Sequence, residues 1–257
     1  HLTERLLEDG HEVLGLDNFN TFYDPAIKRG NLEVALRSPN FELVEGDICD
    51  DALLADTFAR FRPDRVVHLA AWAGVRPSIE QPETYVRVNL NGTVSLFQAC
   101  RDHGVDRISF ASSSSVYGDR ESVPFRETDD VGTPISPYAA TKRAGELLAY
   151  TWHHLFGMHI HCLRFFTVYG PRQRPEMAIA KFVRAIDEGD EITVFGDGQS
   201  ARDYTYIDDI VDGVVRSVER LEGYRIYNLG NSTPTKLSDL VAQIGETLGK
   251  TPKTRHL

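Results

Sequence analysis

A serine, a tyrosine and a lysine near the middle of the chain have the types and spacing of a proton-transfer site. Tyr138 and Lys142 are four residues apart, so on a helix they share one face. A lysine ammonium beside a tyrosine favours the phenolate, which can accept a proton from an alcohol. Ser113, in the run ASSSSVYG at 111–118, can hydrogen-bond the same alcohol. Because such a tyrosine–lysine pair is also common on ordinary exposed helices, the elements that position it must support the interpretation.

Those elements alternate: apolar, strand-like segments follow helical patterns along the whole chain. This alternation is typical of a mostly parallel sheet with helices on both faces, so the predicted fold is α/β and doubly wound. Ligands of such folds bind at the carboxyl ends of the strands. The predicted strands are 12–17, 41–47, 65–71, 107–114, 159–166, 191–196 and 225–230. The predicted helices are 50–61, 82–103, 137–156, 177–189, 207–222 and 236–249.

Three of these strands end in residues that suit a dinucleotide. Asp17 can accept hydrogen bonds from an adenosine ribose and repels a 2′-phosphate, which favours NAD over NADP. Asp47 can bond an adenine amino group, with Ile48 against the ring. The small residues of HLAA at 68–71 let a ligand approach the backbone. Taken alone, a turn aspartate explains Asp17 better than the ribose does, and it explains Asp47 equally well.

Composition excludes several classes of protein. The 257 residues are 41% hydrophobic and 26% charged, as in ordinary soluble globular proteins. A net charge of −10 argues against nucleic acid and anionic membranes as partners, although a local cluster of arginines can still bind a small anion. No apolar run approaches the roughly 18 residues of a membrane span.

Cysteine and histidine usage adds two further expectations. Cys49, Cys100 and Cys162 are few, odd in number and far apart, which indicates free thiols in a reducing compartment such as the cytoplasm. The nine histidines show no ligand spacing with nearby carboxylates, so we expect no metal site.

Jointly these segments resemble the extended short-chain dehydrogenase/reductase family, in its branch of nucleotide-sugar epimerases and dehydratases. The resemblance covers essentially the whole chain, and within the branch the chain is most similar to UDP-glucuronate 4-epimerases. The motifs that carry the family resemblance are LDN (16–18), GDI (46–48), HLAA (68–71), Asn89 in VNLNGT, SSSSVYG (112–118), YxxxK (138–142), LRFFTVYGP (163–171) and ARDYTYIDD (201–209). The segments closest to UDP-glucuronate 4-epimerases are 16–28, 70–82 and 169–178.

The resemblance implies a Rossmann-type NAD-binding domain at 1–170 and 203–230, with a smaller, interleaved α/β substrate domain at 171–202 and 231–257. It also places the glycine-rich turn that cradles the pyrophosphate before His1, so we expect a native protein longer at both ends. The implied NAD site consists of Asp17, Asn18, Asn20, Asp47, Ile48, Leu69, Ala70, Ala71, Asn89, Tyr138, Lys142 and Phe165.

The same resemblance implies catalytic and substrate-binding roles. Tyr138 would be the base, Lys142 its electrostatic partner and a ligand of the nicotinamide ribose, and Ser113 the hydroxyl partner. Among the substrate residues, three would hold the UDP part and one would lie near the sugar. Those for UDP are Thr167, Arg174 and Arg202, and the one near the sugar is Arg76. A homodimer through helices 82–103 and 137–156 is a further expectation.

The expected reaction is NAD-dependent 4-epimerisation of UDP-glucuronate to UDP-galacturonate through a 4-keto sugar. Dehydratases of the family carry an Asp-Glu pair, and decarboxylases a Glu, where this chain has Ser114 and Ser115, which cannot act as carboxyl acids or bases. The alternative hypotheses are a UDP-glucose/galactose 4-epimerase, a 4,6-dehydratase or decarboxylase, and a non-catalytic NAD-binding protein.

The serines themselves favour an acidic sugar. Ser113, Ser114 and Ser115 form a row of hydroxyl donors able to grip a carboxylate by charge-assisted hydrogen bonds. The alternative is that they are only small residues that leave room for NAD.

Overall fold

A computed structural model describes residues 1–120, 122–194 and 196–256. Contacts divide the chain into two compact units, His1–Phe165 with Val211–Leu229, and Phe166–Ile210 with Gly230–Leu257. The predicted division into an NAD-binding domain and a substrate domain remains a prediction about what each unit binds.

Strands and helices alternate along most of the chain, which is α/β as predicted. The strands are β1 Val13–Asp17, β2 Phe41–Glu45, β3 Val66–His68, β4 Arg107–Ser113, β5 His159–Phe165, β6 Thr167–Tyr169, β7 Glu191–Val194, β8 Ala201–Tyr206, β9 Tyr224–Leu229, β10 Pro234–Lys236 and β11 Lys253–His256. The helices are α1 Leu2–Glu8, α2 Pro25–Gly30, α3 Asp51–Phe61, α4 Val75–Glu80, α5 Pro82–Tyr85, α6 Gly92–Asp102, α7 Pro137–Phe156, α8 Ala178–Glu188, α9 Ile207–Glu219 and α10 Leu237–Leu248.

Within the described residues of the first unit, the strands pair in parallel. One sheet has the order β3-β4-β5-β9, and β1 pairs with β2. Strands β4 and β5 are buried along most of their length, because α3, α6 and α7 cover them with apolar side chains. At the centre of this core, Phe97, Phe110 and Ile160 are at most 2% exposed. The sheet is therefore a rigid base from which the strand ends project.

The second unit has a small sheet and a two-stranded pair. Strand β8 lies between β6, to which it is parallel, and β10, to which it is antiparallel. Strands β7 and β11 form a parallel pair. A separate core of Ile186, Ile192, Val194 and Val241 joins β7 to α8 and α10. This unit therefore has its own hydrophobic centre.

The sequence predicted the long elements and missed several short ones. The seven predicted strands each overlap an observed strand, whereas β6, β8, β10 and β11 were not predicted. Strands β6 and β10 are three residues long, β11 is four, and the six-residue β8 contains Arg202, Asp203 and Thr205, so none of them has the apolar run on which prediction relied. The segment predicted to be helical at 82–103 is helical over almost its whole length, but a π-helix at Val86–Asn91 separates α5 from α6.

None of the helices in the described part of the chain is both long enough and apolar enough to span a membrane.

Candidate active site

Helix α7 places Tyr138 and Lys142 on one face, one turn apart. The helix begins as its sequence dictates: the Ser136 side chain accepts a hydrogen bond from the Ala139 N–H at 3.1 Å, and Pro137 occupies the first turn. The Lys142 ammonium lies 6.0 Å from the centre of the Tyr138 ring. The sequence spacing thus brings these two side chains together.

Lys142 is held in the interior. The side chain is only 4% exposed, and its Nζ donates a 2.8 Å hydrogen bond to the Ala111 carbonyl on β4. Burial lowers the pKa of Lys142 to about 8. Helix α7 can approach β4 closely because residue 145 is glycine, where an added Cβ would lie 2.4 Å from the Phe110 ring. A small residue one turn along the helix therefore lets the lysine reach the strand.

An aromatic contact orients Tyr138 from the other side. Tyr85 is fully buried, its hydroxyl donates to the Ala73 carbonyl at 2.7 Å, and its ring meets the Tyr138 ring at an angle of 82° with 6.2 Å between centroids. This edge-to-face geometry is the favoured arrangement for an aromatic pair. The candidate base is therefore supported by its ring as well as by its helix.

The serine row, defined as Ser113, Ser114 and Ser115, begins where β4 ends. Ser113 caps a short 3-10 helix at Ser114–Tyr117: its Oγ accepts a hydrogen bond from the Ser115 N–H at 3.1 Å. Ser113 is 7% exposed, and the other two serines are half-buried. Helix α7 packs on both β4 and this 3-10 helix, so the row and the tyrosine–lysine pair belong to one packed region.

A buried ion pair beneath this region was missed by sequence reasoning. Glu146 follows Lys142 by one turn of α7, and both of its oxygens accept hydrogen bonds from Arg164 of β5, at 2.8 and 2.9 Å. The two side chains are 0% and 1% exposed. Glu146 was detectable as an acidic residue on the buried face of a predicted helix, but its partner was not.

The ends of β1 and β2 carry a polar network. Asp17 ends β1 with its side chain half-exposed and accepts a hydrogen bond from the Phe19 N–H at 2.7 Å. Asn18 donates to Asp47 at 3.1 Å, and its amide oxygen accepts hydrogen bonds from the backbone and side chain of Asn20 at 3.1 and 3.0 Å. The four predicted polar cofactor residues of this region therefore lie at the carboxyl edge of one parallel pair.

Asp47 is held as a carboxylate. Its partial burial alone would raise its pKa, but hydrogen bonds from the Cys49 N–H and from Asn18, together with the charge of Arg87 at 3.9 Å, lower the pKa below its usual value. Neighbouring Ile48 is buried, and Gly92 of α6 allows it this close packing.

The loop after β3 exposes apolar and small side chains. Leu69 is 46% exposed, and Ala70 and Ala71 are half-buried. Asn89, on the π-helix, fixes the next residue of the loop: its amide oxygen accepts from the Trp72 N–H at 2.8 Å, and its amide nitrogen donates to the Trp72 carbonyl at 3.0 Å. The same nitrogen donates to Thr141 of α7 at 3.1 Å, so Asn89 joins the loop to the base helix.

The other predicted residues are distributed over both units. Phe165 ends β5 directly beside Ser113 in the sheet register, and Arg76 is an exposed residue of α4. In the second unit, Thr167 begins β6 and Arg202 is an exposed residue of β8. Arg174 lies in the loop before α8, where its guanidinium pairs with Glu176 at 3.0 Å.

No group of three or more histidine, cysteine or acidic side chains that could hold a metal ion is found within the described ranges.

Comparison with known proteins identifies the family. The model of the NAD-dependent epimerase/dehydratase family matches residues 1–230. The chain belongs to this family. A UDP-glucuronate 4-epimerase of Thermodesulfobacterium geofontis is 44% identical over 255 residues, which is 99% of this chain and 78% of that protein.

Solved structures of this family are similar over the whole chain. A UDP-glucuronic acid 4-epimerase from Bacillus cereus, in complex with UDP-glucuronic acid and NAD, has a TM-score of 0.92 at 33% identity and covers 100% of this chain and 82% of its own. A UDP-glucose 4-epimerase from Thermus thermophilus, in complex with NAD, has a TM-score of 0.89 at 32% identity, with 99% and 81% covered. These similarities confirm the predicted Rossmann-type fold.

The side chains at the strand ends of the first unit fit the NAD of the family name. The carboxylates of Asp17 and Asp47 can accept hydrogen bonds from ribose hydroxyls and an adenine amino group, and exposed Leu69 offers an apolar surface beside two small alanines. Of the predicted NAD-binding residues, Asn89 fits the cofactor least directly, because its amide oxygen and nitrogen are already hydrogen-bonded to Trp72 and Thr141.

Proposed function

We propose that this chain catalyses the 4-epimerisation of UDP-glucuronate to UDP-galacturonate with NAD as cofactor. The observation that carries the proposal is the packing of the serine row against the helix that holds Tyr138 and Lys142. This arrangement has a base, a charge to stabilise the phenolate, and hydroxyl donors at the positions where dehydratases and decarboxylases of the family carry carboxylic acids. The 44% identical relative, which bears the name UDP-glucuronate 4-epimerase, supports the same interpretation.

In the proposed mechanism, Tyr138 removes the proton of the sugar C4 hydroxyl and later returns it. Lys142 stabilises the phenolate by its charge, and the low polarity around its buried ammonium strengthens that effect. Ser113 hydrogen-bonds the same hydroxyl and orients it toward the base. Positioned proton transfer of this kind contributes roughly 10²–10⁴ in rate.

NAD, when bound, supplies the reversible removal of hydride from C4 and its return to the opposite face. We propose that Asp17, Asn18, Asn20 and Asp47 hold the adenosine half, and that Leu69, Ala70 and Ala71 line its path. The proposal assigns Ile48, Asn89 and Phe165 to the walls of the same site, and Lys142 to the nicotinamide ribose.

Binding of UDP is assigned to the second unit. A guanidinium can bind phosphate through two parallel hydrogen bonds, so Arg174 and Arg202 suit the diphosphate, with Thr167 as a hydroxyl donor. Arg76 is assigned to the sugar. An anchored UDP lets the hexose turn over between oxidation and reduction without leaving the protein.

The serine row gives the substrate its proposed class. Oxidising C4 of a glucuronate makes a β-keto acid, which loses CO₂ when its C5–carboxylate bond aligns with the new carbonyl. Hydroxyl donors that grip the carboxylate keep this bond out of alignment while the ring turns. We therefore expect Ser114→Ala with Ser115→Ala to slow epimerisation and to release CO₂ with a 4-keto-pentose. Clean epimerisation at nearly the wild-type rate would contradict this role.

Competing functions are separated by product analysis. Full-length protein is offered UDP-glucuronate and UDP-glucose side by side with NAD, and the products are resolved by chromatography. UDP-galacturonate as the main product supports the proposal. UDP-galactose would make the chain a neutral-hexose epimerase, a dehydrated or decarboxylated sugar would assign it to another branch, and no conversion at all would favour a non-catalytic NAD-binding role.

We also propose that the protein works as a cytoplasmic homodimer. Leu147, Tyr150 and Leu155 of α7 are 52–62% exposed, and this helix and α6 are the proposed contact. Buried free thiols at Cys100 and Cys162 suit a reducing compartment. Sedimentation of the full-length protein measures the oligomeric state directly.

A further inference from the structure

The Glu146–Arg164 pair is a fully desolvated ion pair that the proposed mechanism does not use. Burial alone would raise the pKa of Glu146, but hydrogen bonds from Arg164 and Ser112 lower it, so the carboxyl group is charged. A buried ion pair contributes little to net stability, because the cost of desolvating two charges offsets their attraction. Its placement therefore calls for an explanation other than stability.

The pair is hydrogen-bonded to the chain on both sides of the serine row. Before the row, the Ser112 hydroxyl donates to Glu146 Oε1 at 2.6 Å. After the row, Arg164 donates to the Tyr117 hydroxyl at 2.8 Å, and that hydroxyl donates in turn to Asn228 of β9 at 2.7 Å. The segment between residues 112 and 117 is thus tied at each end to one ion pair.

The same pair is also fixed to the base helix. Glu146 lies one turn after Lys142 on α7, and Arg143 of that helix donates to Glu146 Oε2 at 3.0 Å. Any displacement of α7 along β4 would have to break the Ser112 hydrogen bond or the bidentate contact with Arg164. The geometry of the pair therefore sets the spacing between the serine row and the residues that transfer the proton.

We propose that Glu146 and Arg164 are positioning residues that hold the serine row in register with Tyr138 and Lys142, so that the row grips the substrate carboxylate while the base acts at C4. This inference rests on the proposed function. Neither residue touches the substrate in this scheme. Their effect is on the outcome of the reaction, because a shifted row allows the C5–carboxylate bond of the 4-keto sugar to align with the carbonyl.

The readout is the ratio of decarboxylated to epimerised product. In the side reaction the C5–carboxylate bond breaks and CO₂ leaves. The electron pair of that bond passes into the C4–C5 enolate, and C5 then takes a proton from water. The oxidation at C4 that precedes it is the one NAD already supplies, and without the return step one equivalent of NADH remains per CO₂. This ratio does not depend on how much of a variant is folded, whereas a merely structural role changes only the amount of active protein.

The variants each remove one of the two connections. Ser112→Ala removes the hydroxyl that precedes the row, and Tyr117→Phe removes the hydroxyl that follows it while keeping the ring stacked on Phe125 at 4.6 Å. Since one hydrogen bond contributes about 0.5–1.5 kcal/mol net, we expect each variant to raise the ratio about two- to tenfold, and the double variant to raise it further.

A matched control lies on the same strand. Ser109 of β4 is buried like Ser112, and its hydroxyl contacts Ser217 at 3.4 Å instead of the ion pair. Ser109→Ala should leave the ratio at the wild-type value. The full-length wild type, with NAD and UDP-glucuronate, is measured in parallel.

The outcomes distinguish the two proposals. If the wild type makes no UDP-galacturonate, the proposed function is wrong and the inference falls with it. If the wild type epimerises but Ser112→Ala and Tyr117→Phe keep its product ratio, the positioning role alone is overturned. An equal rise in Ser109→Ala would also overturn it, because the effect would then follow from any loss of a buried hydroxyl.

Discussion

The two sets of predicted active residues differ in how firmly the protein holds them. In the first unit, Lys142 is 4% exposed, is hydrogen-bonded to β4 and lies over two aromatic rings. In the second unit, the Arg174 side chain is 31% exposed and pairs with Glu176, whose side chain is 37% exposed, while Arg202 is exposed on β8. One set is fixed in the interior, and the other is partly or fully exposed to solvent.

This difference matches the two tasks proposed for them. Proton transfer needs a base and a charge already in place when the reaction begins, since reorganising them would add to the barrier. Binding a diphosphate needs positive charge and donors, which long side chains can bring to the ligand after it arrives. Changes in the first set should therefore lower kcat, and changes in the second set should raise KM.

The largest effect is expected at the base. Tyr138→Phe keeps the ring that packs against Tyr85 but removes the hydroxyl, so kcat should fall at least about a hundredfold, within the range for general-base catalysis. KM for UDP-glucuronate and the retention of NAD should stay within a fewfold of wild type. Turnover close to wild type would mean that another group is the base, and Tyr138 would then not belong to the buried set that transfers the proton.

The sequence could predict this half of the site because its information is local. Tyr138 and Lys142 are one helical turn apart, and Ser136 and Pro137 provide the start of the helix just before them. The strand that ends at Ser113 has ordinary length and carries the large apolar residues Ile108 and Phe110 at alternate positions. Spacing, cap and periodicity are all properties of neighbouring residues, so a single sequence suffices to recognise them.

What the sequence could not predict depends on contacts between distant segments. Glu146 and Arg164 are an acidic residue on a helix and a basic residue on a strand, and only the packing of α7 on β5 brings them together. Asn89 was predicted from the family motif as an NAD ligand, whereas its bonds to Trp72 and Thr141 arise from a π-helix that periodicity does not reveal. Strand β8, which is rich in polar residues, acquires its conformation from its neighbours in the sheet.

The second expected effect tests the exposed set. Arg174→Ala should raise KM for UDP-glucuronate, and weaken inhibition by UDP, about ten- to hundredfold, because a hydrogen bond to a charged group contributes about 1.5–3 kcal/mol. The kcat value should change by much less. Arg184→Ala, which removes an exposed arginine of α8, is the control. A loss of kcat at unchanged KM would mean that Arg174 acts in the chemical step, like the buried residues of the first unit, and not in binding UDP.

A third effect follows from the burial of Lys142. Burial lowers its pKa from the ordinary lysine value of 10.5 to about 8, so between these pH values the unfolded chain binds a proton that the folded chain does not. The free energy of unfolding therefore rises with pH across that window, by up to about 1.4 kcal/mol per pH unit. Below about pH 8 the lysine is protonated in both states, and the full cost of burying its charge is present.

Lys142→Met should remove this contribution to the pH dependence of the free energy of unfolding. We expect the free energy of unfolding of nucleotide-free wild type to rise more steeply between pH 8 and pH 10 than that of the variant. Lys181→Met, which replaces an exposed lysine of α8, should leave the wild-type slope intact. Denaturant titrations at several pH values measure these slopes. Parallel curves for wild type and Lys142→Met would show that the buried ammonium is better solvated than its position indicates.

The smallest effect concerns the carboxylate that pairs with Arg174. Glu176 lies 3.0 Å from Arg174 and competes with a diphosphate for the same guanidinium. An exposed ion pair contributes only about 0–1 kcal/mol, so Glu176→Gln should tighten UDP binding by up to about fivefold, and added salt should reduce the difference. Glu188→Gln makes the same change of charge at an exposed position of α8 and controls for the net charge of the unit. Calorimetric titration with UDP measures both variants.

Weaker binding by Glu176→Gln alone would mean that the carboxylate orients the Arg174 guanidinium for phosphate. The UDP-binding residues would then be preorganised, as the proton-transfer residues are.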